Sequence, residues 1–438
     1  MFVLLLACTD TDSGAVATLE PTATLDSESE TALTASWTTD TPADAVIEYG
    51  GDDAYGKTVT GWSSEDGLQH MVVLAGLAAG FEWHWRAVST GAEVEVSEDQ
   101  LFLPTRAPAE IPELTVSGAF DGLVLAPLLG GGTFVAMYDG EGRVSWWRKV
   151  SDEQVTLSQA RLSLDGRSVL AMGDDPAQEG PEVALLSYPV AGGDATVTPL
   201  GVAHHDFIEL AEGGYATIQF DIRPYEGQDV QGDALVTVDG EGAITTVWST
   251  WDERQPGNLD QYPIVEGVGP NWTHMNSLAL HEGVYWLSSY QLQCLFLVDA
   301  GTRRLVGQVG GADGNVLLNG SDGFGPQHTP IPTEDGFLLF NNRPLDAMPL
   351  WSEAVEFTLD MGKREFARRS SYDAGRSVFT AAYGNVEPLP GGGQFIAWGS
   401  AGRLTVLDGD GAATWEAATP LGSAFGFAHP IAELSGVP

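Results

Sequence analysis

An apolar strand that runs into an Asp-Gly turn recurs along this chain, at Tyr138-Asp139-Gly140-Glu141-Gly142, Val238-Asp239-Gly240-Glu241-Gly242 and Leu407-Asp408-Gly409-Asp410-Gly411. Asp-Gly tolerates the positive φ of a tight reversal, so each copy marks a hairpin between two strands. Around these turns the chain divides into six segments of like design: 118–149, 158–190, 204–249, 274–311, 327–369 and 385–417. Each holds about four short apolar strands parted by Gly-rich turns, and helical periodicity is weak throughout. One such unit cannot bury both its faces, whereas a ring of them can. The fold class expected is therefore all-β, with a six-bladed β-propeller over 113–438. Trp146, Trp248 and Trp415 share one phase of the repeat and read as blade core. The tail 421–438 or the linker ahead of the repeats is available to close the ring.

Residues 21–105 have a different rhythm. Short alternating strands (TALTASWTT, AVIEYG, HMVVLAGL, EWHWRAVS) are spaced by turn residues as in a small β-sandwich. The SWTT strand, the EYG strand and the W-x-W-R-A ending resemble a fibronectin type III-like domain. Trp37 is its expected core residue, and His70 and His84 read as structural or edge residues. A Pro-rich linker, 104–112, follows.

Three blades open on histidine. His205 lies nine residues before Gly214, His274 nine before Gly283, and His328 eight before Gly336. In a propeller the innermost strand of each blade lines the central channel, so these rings converge at its mouth. Such a cluster can bind a metal ion, or supply a nucleophile and proton donors; three polar rings hydrogen-bonded in a wet channel is the bland reading. Asn276 beside His274 is a candidate oxyanion donor, and Asp206 a candidate to orient an imidazole. His281 and His429 fall outside the set, and the counterpart in the sixth blade is near Asn385.

Charge narrows the partners. With 61 acidic and 19 basic side chains the formal net charge is −42, which repels nucleic acid and anionic lipid. The field also repels an anionic substrate at long range, so any anion site must be a local cluster of donors. Cys294, in the apolar strand CLFLVD, reads as a buried small hydrophobe. The other cysteine, Cys8, ends the run Leu5-Leu6-Ala7-Cys8 before an acidic Ser/Thr-rich stretch. That pattern matches the end of a bacterial lipoprotein signal, with Cys8 as the lipidated residue. Residues 1–20 are then a signal remnant and tether, and the expectation is an exported periplasmic or cell-surface lipoprotein that meets the membrane only through its lipid anchor.

Three motifs in one order carry a resemblance over about 118–418. HHD is followed by L-x-x-GG. H-x-N-S is followed by Ser288-Ser289 and a strand ending in G-x-V-GG. QH is followed by LLFNN and an A-V-E-F strand. Together they resemble the bacterial arylsulfate sulfotransferases. The resemblance implies an exported six-bladed propeller that moves a sulfuryl group from a phenolic sulfate ester to another phenol through a covalent sulfohistidine. It implies no cofactor, no metal and no nucleotide sulfate donor; the partners are a small-molecule aryl sulfate and a phenol. Carried over, His328 is the nucleophile, and His205 and His274 are proton donors or sulfate-oxygen partners. Asn276 and His204 join them in binding substrate. Two positions depart from the family pattern. Tyr290 stands where SSR-x-Q has its arginine, and Thr329 stands where QHD has its aspartate. Tyrosine donates a hydrogen bond but carries no charge, so the anion clamp is weaker. Arg223 and Arg343 are the arginines available to substitute. The alternatives are a non-catalytic, lipid-anchored propeller that binds a small molecule, glycan or protein, and a metal-dependent hydrolase or lyase.

Overall fold

The computed structural model describes residues 18–25, 31–129, 133–151, 157–174, 182–311, 317–320, 323–344, 348–432 and 434–437. Cys8 and the signal-like segment lie outside the described residues.

The structure is all-β. Six blades form a propeller, and blades two to six each run from an inner to an outer strand in chain order, those of blades four and five being joined by parallel pairing through Leu317–Gly320. Blade two comprises Ala160–Leu162, Ser168–Asp174, Val183–Pro189 and Thr196–Gly201; blade three Ala203–Glu209, Tyr215–Tyr225, Gln228–Val238 and Ile244–Ser249. Blade four comprises Met275–His281, Val284–Ser289, Cys294–Asp299 and Arg304–Gly310; blade five Gln327–Thr333, Gly336–Asn341, Glu353–Asp360 and Glu365–Tyr372. Blade six comprises Asn385–Pro388, Gln394–Ala397, Arg403–Leu407 and Ala413–Ala418.

Blade one is where the ring closes. Its strands Leu123–Leu129, Thr133–Asp139 and Val144–Ser151 lack an inner member of their own. The C-terminal strand His429–Ile431 supplies it, with His429 opposite Leu125 and Ile431 opposite Leu123. The start of the propeller region contributes as well, because Thr115–Gly118, just after the linker, adds a fifth, outermost strand to blade six. Both ends of the repeat region are thus tied into the ring.

The cores lie between the blades, as expected of sheets that must cover one another's faces. Trp146, Trp248 and Trp415 are each at most 3% exposed and pack in three different inter-blade clusters. Cys294 is buried beside Phe296 and Leu287, and burial pushes its thiol up to about 12, so it is an inert apolar residue.

Two further sheets precede the propeller and pack as a small sandwich around Trp37, Ile47, Val72, Trp85 and Phe102. The indole of Trp37 donates to Ser89 (2.8 Å). His70 is buried between Thr39 and Ser63, and His84 pairs with Asp99 at the surface. The sandwich meets the propeller at the end of blade one where the inner strand finishes. There Ala79 donates its N–H to Val144 and Val73 donates to Gly436, each at 2.8 Å. A cleft of about 460 Å³ lies at this junction, lined by Tyr49, Trp83, Phe120 and Arg143 among others. The histidines sit at the opposite end, where the inner strands begin.

Candidate active site

Blades three, four and five each begin with a distorted inner strand. Register shifts fall between His204 and Phe207, between Met275 and Ser277, and between His328 and Ile331. Left-handed backbone accompanies them, with φ of 63° at His205, 44° at His274 and 50° at Thr329. Non-glycine residues adopt this conformation rarely, and bulges of this kind re-aim side chains. Here they bring rings from three blades together. The centroids of His204 and His205 are 4.9 Å apart, His205 and His274 5.0 Å, His274 and Tyr290 5.4 Å, and Tyr290 and His328 6.0 Å. Phe427, just ahead of the closing strand, lies 5.8 Å from His328 and completes the arc.

Each ring has one nitrogen fixed by the protein, and this assigns its proton. Asn342 donates through Nδ2 to the carbonyls of Thr380 (3.1 Å) and Tyr383 (2.9 Å). Its Oδ1 therefore faces His328 Nδ1, 2.6 Å away, and must accept a proton from it. Nδ1 of His328 carries the hydrogen and Nε2 keeps its lone pair. Asn271 does the converse. Its Oδ1 accepts the backbone N–H of His274 (3.0 Å), which leaves Nδ2 to donate to His274 Nδ1 at 3.2 Å. His274 accordingly holds its proton on Nε2. Among the described residues the hydrogen bonds of both rings run through Nδ1, and neither Nε2 has a protein partner.

The third ring is held through a second histidine. His205 Nδ1 meets His204 Nδ1 at 2.7 Å, and His204 Nε2 meets Asp233 Oδ1 at 3.1 Å. Asp233 is fully buried, and its Oδ2 accepts from Thr273 Oγ1 (2.6 Å) and from the N–H of Met275 (2.7 Å). His204 stacks on Phe220 at 4.1 Å and is 9% exposed, behind His205 as seen from the channel.

Burial is the main electrostatic influence on these rings. It pushes His328 down to about 4, against the opposing bond to Asn342 and with some help from His274. It also holds His205 well below the ordinary imidazole value, with His204, His274 and His328 adding to the effect. For His274, burial lowers the value while Asp233 pulls the other way. The Tyr290 hydroxyl is pushed up by burial, so it remains a proton donor.

The other residues singled out in the sequence lie elsewhere. Asn276 is completely buried; its amide donates to the main-chain carbonyl of Gln327 (2.7 Å), and its Oδ1 accepts from Ser277. Asp206 orients no imidazole. It accepts from Gln159 (2.8 Å), Arg161 (3.0 Å) and the N–H groups of Phe207 and Leu278, which ties blades two, three and four together. Arg223 is paired with Asp221 (2.7 Å). Arg343 stacks on Trp351, its guanidinium 3.8 Å from the ring centre. Asn385 donates to Glu387 and to the Ala428 carbonyl at the seam of blades six and one. Among the described residues no group of three or more His, Cys, Asp or Glu side chains is arranged to hold a metal ion.

Asp233, Asn271 and Asn342 are the supporting residues that the sequence did not single out. The only signal was the doubled asparagine at 341–342, in a stretch whose other member, Asn341, binds Glu353 instead.

The family model described as "Arylsulfotransferase (ASST)" matches residues 130–414. No curated protein sequence matches the chain. Solved structures with a similar course are distant. A streptogramin B lyase has 12% identity and a TM-score of 0.39, covering 70% of this chain and 83% of that one. The β-propeller domain of Myceliophteria thermophila Cps50 (Swd1) has 14% identity and a TM-score of 0.38, covering 70% and 88%. Cobalt-substituted Synechocystis ACO has 10% identity and a TM-score of 0.33, covering 92% and 94%. Likenesses this remote say nothing about activity.

Proposed function

The chain belongs to the arylsulfotransferase family, and on that premise we propose that it transfers a sulfuryl group from an aryl sulfate to a phenolic acceptor, with His328 Nε2 as the nucleophile. The observation that carries this reading is the bond from His328 Nδ1 to Asn342 Oδ1 (2.6 Å), because it leaves a lone pair on Nε2 facing the channel. Burial favours the neutral ring, so the nucleophile is ready well below neutral pH.

In the first half-reaction Nε2 attacks sulfur and the S–O bond to the aryl group breaks. The departing phenolate takes a proton from His205. The sulfonated His328 ring carries a positive charge balanced by the sulfonate, and Asn342 Oδ1 supports the Nδ1 proton. In the second half-reaction an acceptor phenol returns its proton to His205, its oxygen attacks sulfur, and the S–N bond breaks. His274, through its Nε2 proton, and the Tyr290 hydroxyl are the donors for the sulfuryl oxygens, whose charge grows in the transition state. Asn276 acts at one remove, by holding the main chain at Gln327 beside the nucleophile.

One feature favours a second reading, a propeller that binds a small molecule without turning it over. Among the described residues Arg223 is ion-paired and Arg343 is stacked on Trp351, so neither replaces the arginine that Tyr290 lacks. The test compares wild type with His328→Ala on 4-nitrophenyl sulfate, with and without phenol. Phenol-dependent turnover that vanishes in the variant supports the transferase. A well-folded wild type with no turnover of any aryl sulfate leaves the binding propeller.

The N-terminal sandwich fits a fibronectin type III-like module. Export with lipid attached at Cys8 is likewise a proposal; metabolic labelling with a radioactive fatty acid that persists in Cys8→Ser would sink it.

A further inference from the structure

We propose that Asp233, His204 and His205 form a proton relay, in which the proton given to the leaving phenolate is stored on His204 against the buried Asp233 carboxylate. This rests on the transferase reading and adds to it a place for the proton. The geometry is a continuous line. Asp233 Oδ1 lies 3.1 Å from His204 Nε2, His204 Nδ1 lies 2.7 Å from His205 Nδ1, and His205 Nε2 has no hydrogen-bond partner among the described residues. The two inner members of the line are held in place. His204 is clamped by the stack on Phe220, and Asp233 by Thr273 and the main chain of Met275.

Two nitrogens at 2.7 Å share one hydrogen, which leaves two states. In the loaded state His204 carries protons on both nitrogens, its charge compensated by Asp233. It donates to His205 Nδ1, and His205 presents an Nε2 proton to the channel. In the spent state His204 is neutral with its proton directed at Asp233, His205 holds its proton on Nδ1, and His205 Nε2 is bare. The first half-reaction converts loaded to spent. As the S–O bond breaks, the Nε2 proton of His205 goes to the phenolate oxygen, and the Nδ1 proton of His204 crosses to His205 Nδ1. The second half-reaction runs backwards. The acceptor phenol gives its proton to His205 Nε2, and the His205 Nδ1 proton returns to His204. One proton leaves and one returns per cycle, and Asp233 stays ionised throughout.

The division of labour has a physical cause. His205 is deep in the channel among other imidazoles and is a poor place to hold a positive charge. His204 touches a buried carboxylate and is the ring whose charge is compensated. His205 meets the substrate, and His204 and Asp233 act through it.

The test uses leaving-group dependence, which a purely structural role does not move. Turnover of phenyl sulfate and of 4-nitrophenyl sulfate is measured for wild type, Asp233→Asn and His204→Gln, with near-ultraviolet circular dichroism to identify folded protein. Phenolate needs a proton to depart and 4-nitrophenolate scarcely does. The relay predicts that each folded variant loses at least about tenfold more on phenyl sulfate than on 4-nitrophenyl sulfate, within the range for general acid catalysis. Equal losses on the two esters in either folded variant overturn the relay and leave the transferase standing. If Asp233→Asn does not fold, His204→Gln carries the test, since His204 takes no part in the bonds to Thr273 and Met275. Absence of turnover in folded wild type on both esters defeats the transferase reading itself, and the relay with it.

Discussion

Two histidines at the start of inner strands, His328 in blade five and His429 in blade one, have opposite surroundings. His328 has one nitrogen held by Asn342 and the other without a partner among the described residues. His429 has both occupied: Nδ1 by Glu387, and Nε2 by Gln159 Oε1 at 2.6 Å. The bonds continue from Gln159 to Asp206 and from Asp206 to Arg161, so a polar belt joins blades six, one, two and three. The same side chain in the same part of the repeat thus keeps a free nitrogen in one blade, where we propose that it reacts, and is a fastener in another. What decides is the partner of its second nitrogen. A satisfied ring has nothing left to offer a substrate, whereas a half-satisfied ring is oriented and still reactive.

The comparison breaks first at the nucleophile. His328→Ala is expected to drop 4-nitrophenyl sulfate turnover to background while the protein remains folded; residual phenol-dependent turnover would put the nucleophile elsewhere.

The reverse holds for the belt. Glu387→Gln weakens a part-buried carboxylate contact and is expected to cost about 2 kcal/mol of stability, read as the shift of the urea unfolding midpoint at pH 7. Its effect on turnover of the folded protein should be small. The sign with pH follows from the carboxyl. Burial raises Glu387, but His429, Arg161 and Asn385 outweigh it and hold the group below its ordinary value of 4.5. A depressed carboxyl stabilises the fold above the unfolded value, and that stabilisation is lost as pH falls through the folded value. The gap between wild type and Glu387→Gln should therefore shrink below pH 4.5. A gap that widens on acidification would contradict the assignment.

A third change sharpens the contrast by removing the orienting partner and keeping the ring. Asn342→Leu frees His328 to adopt either tautomer and is expected to lower kcat by about 10- to 100-fold, in line with the loss of other orienting groups, with little change in KM. For wild type, the acid limb of kcat/KM should lie near pH 4, the value to which burial brings His328, instead of near 6.5. A limb at 6.5 would mean that the nucleophile is less buried than the structure has it.

The smallest expected effect is a gain. Tyr290→Arg adds a cation between His274 and His328 and should raise kcat/KM for aryl sulfates by about tenfold, the scale of one charge-assisted hydrogen bond. Steady-state kinetics at low ionic strength would reveal it. No gain would mean that the channel has adapted to a donor other than a sulfate ester.

The sequence by itself determined the all-β fold, the six repeats and the phase that brings His205, His274 and His328 to one channel. These depend on local signals: alternation along a strand, Asp-Gly turns, and a histidine at a fixed distance from a turn glycine. Strand pairing converts such periodicity into position with little room for choice. Only the tertiary structure decided what each polar side chain meets. Asp206 follows two histidines in sequence, yet binds Gln159 and Arg161 from the next blade, while Asp233, far along the chain, reaches His204. Asn276 looked like a donor to the channel and is spent on a carbonyl of blade five. The C-terminal tail supplies the missing inner strand of blade one, where the sequence left open whether tail or linker would do so. The reason is common to all of these. Direction within a bulged strand changes by a whole face on the insertion of one residue, and a hydrogen bond is made with whatever group that turn brings within about 3 Å.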